Sequence, residues 1–175
     1  MAQGIIAKEV ICMRKVIYPG SFDPVTFGHI DVAKRAVSIF GNLTLAIVLN
    51  PEKRGLFTLQ ERVDMLKQAT KGIKGISIDT FDGLLVNFVR QNKANVIVRG
   101  LRAISDFEYE FQMALTNRKL DERIETVFLM SSEQYSYLSS RAIKEIATLG
   151  GDVARFVPPC VAALLRRKLS AANRS

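Results

Sequence analysis

The chain has 175 residues, 48% of them hydrophobic, and a formal net charge of +8. This is the size of one domain built on a single core, and no low-complexity tract or internal period divides it. No apolar run reaches the roughly 18 residues of a membrane span, MAQGIIAKEVICMRK is too interrupted for a signal peptide, and Cys12 and Cys160 have no neighbours at metal-ligand spacing, leaving a reduced, cytoplasmic protein expected to attract anions.

Val16-Ile17-Tyr18 is a short apolar run that gives way to a Pro/Gly segment, which predicts a buried strand ending in a tight loop. From His29 to Phe40 apolar residues recur at helical spacing, so this loop joins a strand to a helix. Leu43 to Leu49 is a β-rich run. After Pro51 to Gly55, Thr58-Leu59-Gln60-Glu61 has capping-box spacing and predicts a helix to about Thr70. Ile76 to Phe81 alternates as a strand, Leu84 to Gln91 has a helical apolar face, and Val96-Ile97-Val98 is a fourth strand. Ser105-Asp106-Phe107-Glu108 repeats the capping-box spacing ahead of a helix to about Leu120, and Thr126 to Met130 makes a fifth strand. A polar segment, Ser131 to Ser140, leads into a helix that stops near Gly150-Gly151, and a last helix starts at Pro159. The alternation predicts an α/β protein: a single-domain, Rossmann-like fold with a five-stranded parallel sheet and helices on both faces.

In such sheets ligands bind beyond the carboxyl ends of the strands. Three loops there carry unusual polar residues: Gly20 to His29, Arg99 to Arg102, and Ser131 to Arg141. Neither G-x-x-x-x-G-K-[ST] nor a G-x-G-x-x-G after the first strand occurs, which excludes a P-loop and the usual dinucleotide site. Gly28 allows backbone to approach a ligand, and the helix that follows offers free N–H groups to a phosphate. His29, the only histidine, is either an N–H donor that follows charge developing on a phosphoryl oxygen or simply the start of a helix. Arg99 and Arg102 present two guanidinium forks to phosphate, or pair with Asp106 or Glu108. Lys53 and Arg54 add positive charge to the same pocket or are solvated. Ser139 and Ser140 form an anion site or an ordinary N-cap, and Tyr135 and Tyr137 line a base pocket or pack on the sheet edge. Arg166-Arg167-Lys168 reads as a solvated helix face.

These segments resemble the nucleotidyltransferase superfamily that carries [TH]-x-G-H after strand one and an S-S-x-x-[RK]-type signature after strand five. Here they are Thr26-Phe27-Gly28-His29 and Ser139-Ser140-Arg141-Ala142-Ile143-Lys144. Within it, YPGSFDPVTFGH, FTLQERVDML, VIVRGLRAISDFEYEFQMA and FLMSSEQYSYLSSRAIKEIA look like the bacterial phosphopantetheine adenylyltransferases, over Met13 to about Leu169. The resemblance implies transfer of AMP from ATP to 4'-phosphopantetheine, giving dephospho-coenzyme A and pyrophosphate by direct in-line attack without a covalent enzyme intermediate. It implies that Ser21, Lys53 and Arg99 hold the pantetheine phosphate, that Leu85 lines its arm, and that His29 stabilises the transition state. ATP would be bound by Ser21, Phe22, His29, Gly100, Leu101, Arg102, Glu110, Tyr135, Ser136, Tyr137, Leu138, Ser139, Ser140 and Arg141. Mg²⁺ would bridge the substrate phosphates rather than sit in a protein cage.

Kinship further implies a homohexamer and feedback inhibition by coenzyme A, with no nucleic-acid or membrane partner. Residues 1–12 have no counterpart in the family, whose usual beginning Met13-Arg14-Lys15 resembles, and are expected to reflect an upstream start codon or to be a flexible extension ahead of a nucleotidyltransferase domain over 13–175. Tyr135 stands where some members carry Trp, and Arg141 where many carry a third Ser. The competing readings are a relative acting on nicotinate mononucleotide or a cytidylyl substrate, and a basic nucleic-acid-binding module. Against the last stand Glu108 and Glu110, acidic residues beside Arg99 and Arg102.

Overall fold

Strand β1 (Lys15–Gly20) lies at the centre of a five-stranded, all-parallel sheet, between β2 (Leu43–Val48) and β4 (Ala94–Leu101), with β3 (Ile76–Phe81) and β5 (Glu125–Met130) at the edges. The computed structural model describes residues 15–49, 55–102 and 104–172. Within them, α1 (Phe27–Phe40), α2 (Leu59–Thr70), α3 (Leu85–Gln91) and α4 (Ile104–Leu120) connect the strands, and α5 (Ser140–Thr148) and α6 (Pro159–Ala172) follow the last. This is the α/β architecture the alternation predicts. Residues 1–12, Lys53 and Arg54 lie outside the described residues.

The inner strands are apolar on both faces because both faces are covered, whereas the edge strand β3 exposes Ser77 and Asp79. Val16, Tyr18, Leu45, Ile47, Val96 and Val98 pack with Val32, Ala33 and Ala36 of α1, Met65 and Leu66 of α2, and Val161 and Leu165 of α6. Ile17, Ala46 and Ile97 face the other way, onto Val86, Phe88 and Val89 of α3. Each such Val, Leu, Ile or Phe contributes roughly 1.5–3 kcal/mol by leaving water. The chain walks outward from β1 to β3, then crosses back to β4, and this reversal opens a crevice between β1 and β4 at their carboxyl ends.

The ladder itself shows where the crevice begins. Strand β1 pairs with β2 as far as Gly20↔Ile47, but with β4 only as far as Ile17↔Ile97. Pro19 falls past that last pair, where its missing N–H deprives no ladder bond to β4. Its carbonyl accepts instead from Arg99 Nη1 at 2.7 Å. The strand therefore runs two residues beyond the Tyr18 end expected from sequence, carried by its intact pairing with β2.

Of the two predicted capping boxes, one forms. Thr58 Oγ1 accepts from Glu61 N at 3.2 Å, and the Glu61 carboxylate accepts from Thr58 N at 2.7 Å. The other does not, because α4 starts at Ile104 and puts Ser105 inside the helix rather than at its cap. The Ser105 side chain lies outside the described residues. Among the described residues no helix is long and apolar enough to cross a membrane.

Gly75, just before β3, has φ +85°, and an added Cβ would meet the carbonyl oxygen of Gly41, the residue that caps α1. Gly83 has φ +71° with open space around it. Gly83→Ala should cost about 1 kcal/mol from the left-handed backbone alone. Gly75→Ala adds a backbone collision and should cost more, roughly 2–3 kcal/mol, read as a larger drop in urea midpoint at unchanged m-value.

Candidate active site

A cavity of about 300 Å³ opens in the β1/β4 crevice. Ser21 follows β1, Thr26, Gly28 and His29 start α1, Arg99, Gly100 and Arg102 come from the end of β4, and Glu110 comes from α4. Ser131 and Leu138 to Arg141, from the segment between β5 and α5, close the wall. The three loops singled out in the sequence meet here.

His29 is the third residue of α1, not its first, and it closes the helix start. Thr26 Oγ1 accepts from the His29 backbone N–H at 3.4 Å, and His29 Nδ1 accepts in return from Thr26 N at 3.0 Å. Histidine thus takes the place of the Glu or Gln of an ordinary capping box. An Nδ1 that accepts from a peptide N–H carries no proton, so the neutral ring holds its proton on Nε2. Burial, with Arg102 and then Arg99 nearby, pushes the imidazole down to about 4. At neutral pH the ring is therefore an uncharged donor. Phe22 meets it edge-on, with ring centroids 5.2 Å apart. The Phe22 backbone has φ +47°, an uncommon conformation for a bulky residue, and its ring rests on Gly20, where an added Cβ would stand 3.0 Å away.

Arg99 pairs with Glu110, rather than with the Asp106 or Glu108 considered from sequence. Its Nε donates to Oε2 at 2.7 Å and its Nη2 to Oε1, while Nη1 holds the Pro19 carbonyl. Glu108 is exposed, and the Asp106 side chain lies outside the described residues. Burial would lower the Arg99 pKa, but Glu110 outweighs it and the net shift is upward. Three of the five guanidinium N–H groups are engaged, which leaves two for an anion. Arg102 Nη1 donates to the Leu138 carbonyl at 3.0 Å. Burial pushes the Tyr18 phenol up to about 12 against the pull of Arg99 and Arg102, so it stays a neutral hydroxyl beneath them.

Ser139 is the N-cap of α5, its Oγ accepting from Ala142 N at 3.0 Å, and Ser140 Oγ donates to the Pro24 carbonyl at 2.7 Å. Ser139 Oγ thus serves as an acceptor and Ser140 Oγ as a donor, while the other first-turn N–H groups of a helix have no intrahelical partner. Phe22 and Leu101 are buried behind the wall. Tyr135, Ser136 and Tyr137 stand outside the cavity lining: Tyr135 packs at 6.1 Å on the Phe27 ring, and Tyr137 is exposed with its ring edge-on to Phe156. Leu85 packs with the second core, away from the cavity. Lys53 lies outside the described residues.

Sequence reasoning missed the residues that hold these loops together. The buried Asp23 carboxylate accepts from Leu56 N at 3.1 Å, Phe57 N at 2.9 Å and Lys144 Nζ at 2.6 Å. Burial would raise its pKa, but Lys144 and the N–H groups of Phe57 and Leu56 outweigh it and hold it below the usual carboxylate range. Arg62 Nη1 donates to the Ser21 carbonyl at 3.0 Å. The signal available was Lys144, the basic residue of the S-S-x-x-[RK] signature, with nothing local to say what it meets.

Residues 17–146 match the cytidylyltransferase-like family model. A solved structure from Vibrio parahaemolyticus, assigned as a nicotinate-nucleotide adenylyltransferase, shares the fold at 18% identity and a TM-score of 0.67, over 87% of this chain and 99% of its own. The family match, on a chain with this fold, defines a class, the nucleotidyltransferases. A phosphopantetheine adenylyltransferase from Caldanaerobacter subterraneus subsp. tengcongensis is 55% identical over 89% of this chain and 98% of its own. Proteins of the same name from Carboxydothermus hydrogenoformans and Clostridium botulinum strain Langeland are 53% and 48% identical, over 89% and 90% of this chain and 96% of each of theirs. The chain belongs to the phosphopantetheine adenylyltransferase family.

Because the chain has one histidine, its ring titration is unambiguous. A histidine in the unfolded chain takes up its proton near pH 6.5, before the folded one at about 4. The nitrogen-detected NMR titration of His29 should therefore show an Nε2–H tautomer from pH 8 to 5 with a midpoint below 5, and this group should weaken folding as pH falls from about 6.5 toward 4.

Proposed function

We propose that the protein transfers the adenylyl group of ATP to 4'-phosphopantetheine, releasing dephospho-coenzyme A and pyrophosphate. A phosphate oxygen of the acceptor attacks the α-phosphorus of ATP, and the bond to the bridging oxygen of pyrophosphate breaks with its electron pair. The acceptor is already an anion and needs no base. The observation that carries this reading is the His29 ring: with Nδ1 satisfied by Thr26, it presents one N–H, on Nε2, at a cavity lined by Arg99, Arg102 and Arg141. Such a donor suits negative charge that grows on an α-phosphate oxygen, and no covalent enzyme intermediate is required.

In this reading Arg99 and Ser21 take the acceptor phosphate, and Arg102, Arg141 and the α5 start take the phosphates of ATP; all four side chains line the one cavity. Kinship adds Lys53 and Leu85 on the acceptor side. Glu110 is the one carboxylate among the described lining residues, and Arg99 occupies it. Among the described residues no group of three or more His, Cys, Asp or Glu converges. This donor set fits Mg²⁺ held by phosphate oxygens and water, where it would neutralise charge on the pyrophosphate. Coenzyme A carries both a pantetheine arm and an adenine nucleotide, so it would compete as a feedback inhibitor at this cavity. The free thiol of Cys160 suits a cytoplasmic setting.

We further propose a homohexamer. On α4 the side chains of Phe107, Tyr109, Phe111, Met113, Leu115 and Leu120 are exposed, with Phe107 stacked on Phe111. Of the side chains described on that helix, only Asn117 is buried. An apolar surface of this kind marks a contact between chains.

With ATP, Mg²⁺ and 4'-phosphopantetheine the protein should release pyrophosphate, and nicotinate mononucleotide should not replace the acceptor. His29→Ala should lower kcat by about 10²–10³-fold with ATP affinity nearly unchanged, whereas equal losses would make the role one of binding or structure. Light scattering should give six chains for the wild type and smaller species for Phe107→Ser/Phe111→Ser.

A further inference from the structure

The segment between β5 and α5 rests on α1 along two turns. Arg35 Nη1 donates to the Met130 carbonyl at 2.6 Å. The Asp31 carboxylate takes both donors of Ser132, the backbone N–H on Oδ2 at 2.9 Å and the hydroxyl on Oδ1 at 2.8 Å. Phe27 meets the Tyr135 ring, and from the opposite side Arg102 holds the Leu138 carbonyl. Ser132 precedes the short 3₁₀ turn Glu133–Tyr135 without capping it, because its hydroxyl is turned to Asp31.

We propose that Asp31 is a positioning residue for the nucleotide, which rests on the reading above that this segment binds ATP. A single hydrogen bond, such as that of Arg35, leaves a pivot. Two bonds from the two oxygens of one carboxylate to two atoms of one residue do not, and hydrogen bonds to a charged acceptor are the stronger kind. Asp31 is two residues from His29 on the same helix. Helix α1 thereby sets a constant offset between the His29 Nε2–H and the segment whose two ends, Ser131 and Leu138–Ser139, line the same cavity. Without Asp31 that segment would lose its anchor at Ser132, while Ser21, in the loop after β1, and Arg99, on β4, would keep theirs through Arg62, Glu110 and Pro19.

The test is calorimetric binding of ATP alone, followed by steady-state kinetics with both substrates. Asp31→Ala should raise the Kd and KM for ATP about five- to tenfold and leave the KM for phosphopantetheine within twofold. Asp31→Asn, which can accept from the N–H and donate to the hydroxyl, should recover most of the affinity. Ser132→Ala, which keeps the backbone bond, should weaken ATP less, and the double variant Asp31→Ala/Ser132→Ala should be no worse than Asp31→Ala. An ATP Kd within twofold of wild type, an acceptor KM that moves as far as that of ATP, or additive effects in the pair would each overturn the proposal. Should Asp31→Ala fail to fold, Ser132→Ala decides alone: an ATP Kd unchanged from wild type in that variant overturns it. Failure of the wild type to bind ATP would instead overturn the functional reading.

Discussion

A carboxylate that never faces the cavity holds the cavity's parts together. Asp23 lies in the loop between β1 and α1, and its three donors come from two other places: the approach to α2, through Leu56 and Phe57, and α5, through Lys144. A buried charge with fewer partners would be costly, and burial alone would neutralise it. Here the donors win, so the carboxylate stays ionised and the loop has one geometry. Gly55 is part of the same arrangement, since an added Cβ there would stand 3.2 Å from the carboxylate. With Ser140 on the Pro24 carbonyl and Arg62 on that of Ser21, the strand-to-helix turn is gripped from three sides. This constraint makes room for the φ +47° of Phe22, a conformation that surrounding structure must enforce.

Within that frame Glu110, Arg99 and Arg102 are already spoken for in part. Glu110 orients Arg99 by a two-point contact, Pro19 fixes its third side, and Leu138 takes one N–H of Arg102. Arginines held in this way need little reorganisation when an anion arrives, which is the condition under which fixed charges act best on a transition state. Helix α5 adds the first-turn N–H groups that its cap leaves open. The site therefore works by pre-arranged charge rather than by a nucleophile.

The fold was legible because its information is local. Alternation in Ile76 to Phe81, helical spacing from Ile30 to Phe40, and the Thr58-to-Glu61 box each report on neighbours a few residues away. Ser105 to Glu108 has the same spacing and fails, since spacing alone cannot say where the preceding strand lets the helix begin. For the cavity, the motifs named the right loops, but the partners were out of reach. Asp23 meets Lys144 across 121 positions, Ser132 meets Asp31 across 101, and Pro19 meets Arg99 across 80. Such pairs exist only once strand order is set. The exposed face of α4 was hidden for another reason: Phe107, Phe111 and Leu115 at helical spacing look the same whether they cover a sheet or await another chain.

Pro19 gives the sheet a built-in zipper stop. Its carbonyl points toward β4, and in an extended strand the nitrogen of the same residue faces the same neighbour. A residue with an N–H at this position would offer β4 a next rung just where the two strands part, while pairing with β2 would be unaffected. The missing hydrogen leaves a β4 carbonyl without a donor there, and the Pro19 carbonyl is taken by the Arg99 side chain. One absent atom in the central strand thus removes half of a further rung at the mouth of the crevice.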